Sequence, residues 1–194
     1  MEVYFDQQLI GETASGSSLA SLIGGDRLEL TVCTRVDGVD DTLDAVLTQN
    51  NLTGKRLDLL SFDGWLAESA SLVTELIERI GRSSTVIAGM TSQRDPVELL
   101  DELMLKPKEI LSELEGVAEH LGPELSAAID ELKLLSVAAE SVLVAAVRDK
   151  DFIRVADALR LEWSIFLRGL VSFLEPEVAF EMPAAEPSSG LSPE

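Results

Sequence analysis

Two hydrophobic periods divide the chain. Up to residue 64 apolar positions alternate or fall in short runs, and from Trp65 onward they recur every three to four residues. Val3, Tyr4 and Phe5 predict a first strand, Gln7 and Gln8 a turn, and Leu9 and Ile10 a short second strand. Leu19, Ala20, Leu22 and Ile23 predict one short helix that stops at Gly24-Gly25. From Arg27 to Val36 the alternation is regular, with Leu28, Leu30, Val32 and Thr34 on one face and Arg27, Glu29, Thr31, Cys33 and Arg35 on the other. That pattern predicts one half-buried strand over the whole segment, ended by a turn at Asp37-Gly38. Asp41 or Thr42 then caps a single helical turn from Leu43 to Leu47, and Asn50-Asn51 and Gly54 mark another turn. Arg56 to Phe62 reads as the last strand, with Leu57 and Leu59 opposite Asp58, Leu60 and Phe62.

The second half reads as helices. Trp65, Leu66, Ser69, Leu72, Val73, Leu76, Ile77 and Ile80 form a stripe that Gly81 is expected to end, with a further apolar segment from Thr85 to Met90. Asp95-Pro96 opens a helix and Lys106-Pro107 is expected to restart one. Gly122-Pro123 separates the next, which runs from Glu124 to Arg148, about 37 Å at 1.5 Å per residue. Asp149 or Asp151 caps the last helix, which carries Phe152, Ile153, Ala156, Leu159, Trp163, Phe166, Leu167, Leu170, Val171 and Leu174 and ends at Glu175-Pro176. Short links between long helices predict antiparallel packing, and the broad apolar arcs suit a globular bundle better than a coiled coil.

The expected fold is therefore α+β. A small mixed-sheet domain spans residues 1–64, an antiparallel helical bundle spans 65–175, and an acidic tail rich in Pro and Ser spans 176–194, with the composition of a disordered segment. The element order of the first domain resembles that of a ubiquitin-like β-grasp module, which implies one helix across a mixed sheet. Leu30 to Gly38 (LTVCTRVDG) and Asp151 to Trp163 (DFIRVADALRLEW) resemble an uncharacterised bacterial family in which a small β-containing head precedes a helical bundle. That resemblance implies a bacterial origin and a two-part layout, and it brings no activity with it.

Charge narrows the functions. The chain of 194 residues carries 35 acidic and 15 basic side chains, a formal net charge of −20. Nucleic-acid binders place Lys and Arg on phosphates, so no nucleic-acid partner is expected. The same deficit argues against docking on anionic membranes, and no run of 18 apolar residues predicts membrane insertion. The first residues lack the basic and apolar regions of a secretory signal, and a single cysteine, Cys33, provides no disulfide framework. A cytoplasmic location follows as the expectation.

Candidate chemistry is sparse. His120 is the sole histidine, placed near the end of a helix where a cation complements the dipole. Cys33 lies in a predicted strand without a basic cluster to lower its pKa. Asp37, Asp40, Asp41 and Asp44 form the densest carboxylate cluster, but their spacing is that of a turn and a helix cap and not of a calcium loop. Asp157 lies beside apolar positions of the last helix, where a surface pair with Arg160 accounts for it. No phosphate-binding glycine loop, nucleophile elbow or paired zinc ligands occur, so neither catalytic residues nor cofactors nor metals are assigned. The expected function is protein–protein interaction or scaffolding without catalysis. The partner is a second copy of the chain or a basic or apolar client, and Trp65, Trp163, Phe166 and Phe180 are the candidate interface anchors, the two tryptophans fitting a core more readily than an interface. Two alternatives stand beside it: an acidic export chaperone for secretion or flagellar substrates that holds an apolar client, and an enzyme using carboxylates with a metal.

Overall fold

The computed structural model describes residues 1–48, 53–90, 96–118 and 122–175. The expectations for Asn50-Asn51, Asp95, His120, Phe180 and the tail lie outside these residues. The chain begins with a hairpin of β1 (Glu2–Phe5) and β2 (Gln8–Glu12), turned through Asp6 and Gln7 at φ 46° and 66°. Helices α1 (Gly16–Ile23) and α2 (Gly25–Leu30) follow, then β3 (Thr31–Val36), β4 (Val39–Asp41), α3 (Leu43–Thr48) and β5 (Arg56–Ser61). The five strands form one mixed sheet in the order β2-β1-β5-β3-β4, with β1 and β5 parallel at its centre and the other pairs antiparallel.

The regular alternation at Arg27–Val36 overstated the strand. Residues 25–30 are helical, because Gly24 (φ 81°) turns the chain and the half-buried Leu28 packs on the head core. The Thr31 hydroxyl donates to the Arg27 carbonyl (2.7 Å) and helps close this helix, so tertiary packing overrides the local pattern. A bulge at Val32 shifts the pairing with β5 between Thr31 and Cys33. Leu30 and Val32, expected to be inward, are therefore exposed, while Thr34 is buried. The sequence also missed β4, a three-residue edge strand paired to β3 across the Asp37-Gly38 turn.

One face of the sheet buries Val3, Leu57 and Leu59 against Leu19 and Ile23 of α1 and Val46 of α3. Leu60 points the other way, with the half-buried Cys33, into the core of the helical part. The sheet is thus shared by two cores. The boundary read at residue 64 falls within the first turn of α4 (Phe62–Ala88), which follows β5 without a linker.

A compact knot of hydrogen bonds makes that passage possible. Ser61 is both the last residue of β5 and the N-cap of α4, and its hydroxyl accepts from the Gly64 amide (3.0 Å). Asp6, in the turn of the first hairpin, accepts from the Ser61 amide and from the Ser61 hydroxyl, both at 2.8 Å. The Asp6 amide in turn donates to the Leu59 carbonyl (2.9 Å). Gly64 leaves room for this carboxylate, because a Cβ there would overlap Asp6 Oδ1.

The helical part consists of α4, α5 (Val97–Val117), α6 (Pro123–Arg148), α7 (Phe152–Ala158), a π-helical turn (Leu159–Trp163) and α8 (Ser164–Leu174). Two expected breaks do not occur. Gly81 sits exposed inside α4, which continues because Ser83, Ser84 and Ile87 are buried beyond it. Pro107 lies inside α5 and does not begin a new helix. Proline has no N–H for the carbonyl four residues back, that of Leu103. The indole Nε1 of the fully buried Trp163 donates to that carbonyl instead (3.3 Å), so a second helix supplies the missing donor. Arg160 ties the same π-helical turn to α4 through Ser84 Oγ (2.7 Å) and Thr85 Oγ1 (2.9 Å), while Asp157 is exposed. Asp151, one of the two expected caps, accepts from the Arg154 amide (2.9 Å). Ion pairs Lys108–Glu140 and Lys133–Glu115, each at 2.8 Å, join α5 to α6.

Two stability predictions follow from these contacts. Gly81→Ala should stabilise the chain by up to about 1 kcal/mol, as for any exposed helical glycine, whereas Gly64→Ala should destabilise it by about 1–3 kcal/mol by displacing Asp6. Combined with Asp6→Ala, Gly64→Ala should cost much less than the sum of the two, as read by urea unfolding. Equal gains at Gly64 and Gly81 would contradict the knot. Trp163→Phe should cost about 1–3 kcal/mol by leaving the Leu103 carbonyl unpaired. In a Pro107→Ala background, where an amide can donate to that carbonyl, the cost should fall by about 1 kcal/mol in the same assay.

Candidate functional site

A cleft of about 970 Å³ lies between the second face of the sheet and helices α4 and α5. It exists because β5 carries apolar side chains on both faces. Leu57 and Leu59 are consumed by the head core, while Leu60 faces the helices. The inner part is apolar, with Leu60, Phe62, Trp65, Leu72 and Ile110 along it. The Phe62 and Trp65 rings stack at 5.9 Å and 22°. The bulged Val32 stands at its side with 56% of its surface exposed.

The outer part is charged. The pairing of β5 with β1 and β3 sets Asp58 between Tyr4 and Arg35. Arg56 binds Asp58 through Nε and Nη2 (2.8–3.0 Å) and lies over the Tyr4 ring at 4.1 Å. Arg35 reaches across the cleft and pairs with Glu68 of α4, which straps the sheet to the helix. Lys106 and Glu113 of α5 complete a rim of both signs.

Hydrogen bonds to carboxylates keep the protonated form of their donors, here and elsewhere on the surface. The hydrogen bond to the Glu2 carboxylate raises the Tyr4 phenol above its usual range, with desolvation adding to it. The hydrogen bond to Asp58 raises the Arg56 guanidinium. Lys133 and Arg148 move the same way, through hydrogen bonds to Glu115 and Asp149. Each of these shifts leads away from neutrality, the opposite of what a group passing protons near pH 7 requires.

Of the four anchor candidates, Trp65 lines the cleft at 7% exposure. Trp163 and Phe166 are fully buried, their rings 4.8 Å apart, and offer no surface to a partner. Phe180 and His120 fall outside the described residues. Cys33 is half-buried on the cleft side of β3. In the acidic cluster, Asp37 Oδ1 accepts from the Arg56 amide (2.8 Å), and Asp41 Oδ1 accepts from the Thr42 amide (2.8 Å). Thr42 Oγ1 accepts from Ala45 at the start of α3 (3.2 Å). Among the described residues no group of three or more His, Cys, Asp or Glu side chains stands where it could hold a metal ion, and no helix is long and apolar enough to cross a membrane.

Sequence reasoning missed Val32, Leu60, Phe62, Arg35 and Glu68 as parts of one site. A signal was present in β5, where Leu60 lies opposite Leu57 and Leu59, although the expected strand ran one residue too far and Phe62 instead opens α4. Apolar residues on both sides of a strand mark a sheet covered on both faces. Compared with models of protein families, with curated proteins and with solved structures, the chain matches none.

Proposed function

We propose that this chain is a non-catalytic protein-binding module of the bacterial cytoplasm, built as a β-grasp-like head on an antiparallel helical bundle. The head reading is supported by the strand order β2-β1-β5-β3-β4, the central parallel pair β1–β5 and the helix α1 packed on one face. The bundle reading is supported by the long helices α4, α5 and α6 and the apolar core they share with α7 and α8.

The observation that carries the function is the cleft. An apolar floor around Trp65 inside a rim of mixed charge is the anatomy of a protein interface. Its occupant is an apolar segment of a protein partner whose polar flanks meet Arg35, Glu68, Lys106 and Glu113. Trp65 and Phe62 act as rigid aromatic anchors, and the Arg35–Glu68 strap fixes the width. The net charge of −20 speeds encounter with a basic partner.

Photo-crosslinking in the native cell tests this. A photoreactive amino acid at Val32, in the cleft, should give a discrete protein adduct, whereas the same group at the exposed Arg82 of α4 should not. Gly116→Trp should abolish the adduct without destabilising the fold, since Gly116 lines the cleft, is exposed and has open space where its Cβ would stand. The same adducts from both positions, or an adduct indifferent to Gly116→Trp, would refute the cleft as the binding surface.

A further inference from the structure

Helix α6 carries a second apolar stripe, on the side away from its core. Its inward face is Ile129, Leu132, Ser136, Ala139, Leu143 and Ala146, all buried. Outward, Asp130, Leu134, Val137, Ser141, Val144 and Arg148 follow one another at alternating steps of four and three, and all six are exposed. Leu134, Val137 and Val144 leave 71%, 59% and 60% of their surface open. A step of four and three is the spacing of a coiled-coil seam, and this seam extends over about 27 Å of helix. Ordinary surface helices place polar residues on the face opposite the core, so two apolar faces on one helix call for two sets of neighbours.

We infer that this seam is where a second copy of the chain docks, through antiparallel pairing of the two α6 helices about a two-fold axis beside Ala139. That register sets Leu134 opposite Val144 and Val137 opposite the small Ser141. It also sets Asp130 opposite Arg148 of the second copy, and by symmetry the pair forms twice. Charge complementarity at the two ends therefore selects both the partner and its direction. A parallel pairing would set Asp130 against Asp130 and Arg148 against Arg148. Arg148 already binds Asp149 through Nε (3.0 Å), and a guanidinium has further donors for a second carboxylate. Of the flanking charges, Lys133 and Glu140 are held by Glu115 and Lys108 of α5. The seam is separate from the cleft, so a dimer would present two clefts and bind a bivalent partner with avidity.

Sedimentation equilibrium of the full chain at physiological ionic strength tests the pairing. The unaltered chain should form dimers. Asp130→Arg and Arg148→Asp should each weaken the dimer roughly tenfold or more, and the two together in one chain should restore it. All three variants should keep the helical circular dichroism of the parent, since both residues are exposed on the helix surface. Monomers at every accessible concentration, a dimer indifferent to the single reversals, or a double reversal that fails to restore the dimer would overturn the inference.

Discussion

The arrangement of this molecule depends on the contact of the Asp6 carboxylate with Ser61. A strand that runs straight into a helix has to end its ladder and begin an unsatisfied helical turn at the same residue. Ser61 manages both, because Asp6 takes its amide and orients its hydroxyl, and that hydroxyl caps Gly64. The Asp6-Gln7 turn, at positive φ, brings the carboxylate there, and Gly64 gives it room. Turn, strand end and helix start thus lock one another, and the direction in which α4 leaves the sheet is set by these groups.

Once α4 is aimed, the rest follows from packing. The sheet has one face closed by α1 and α3 and the other turned to α4 and α5, with β5 contributing to both cores. The second face is filled only in part, and the remaining space is the cleft. Its rim is charged because the β5 register sets Asp58 between Tyr4 and Arg35, and the Arg35–Glu68 pair spans from sheet to helix. Within the helical part, Trp163 performs a similar repair by donating to the carbonyl that Pro107 leaves open. In both places a sequence feature that would ordinarily end an element is absorbed by a side chain from elsewhere in the chain.

Those repairs also explain what could be read beforehand. The α+β class, the change of period near residue 64, the first hairpin, α1 and the extent of α6 are local properties of the sequence, and they were legible. The expected ends at Gly81 and Lys106-Pro107 followed sound local rules, but packing beyond Gly81 and the distant Trp163 outweighed them. The alternation at Arg27–Val36 was periodic enough to hide a helix and a bulge, because only the three-dimensional packing of Leu28 and the pairing at Cys33 set the register. Trp65, singled out in the sequence, lines the cleft. Leu60 and Arg35 were not singled out, since a cleft between two units is a property of how they meet and has no period of its own.

The central claim is that head and helical part form one body, joined at Ser61, so that the cleft is preformed. Native-state hydrogen exchange at Leu59 in β5 and Val73 in α4 measures this most directly. The account predicts the same opening free energy and the same denaturant dependence at both amides, as for a single cooperative unit. An amide at Leu59 that opens at lower free energy and with a smaller denaturant dependence than Val73 would show the head unfolding alone, and would contradict it.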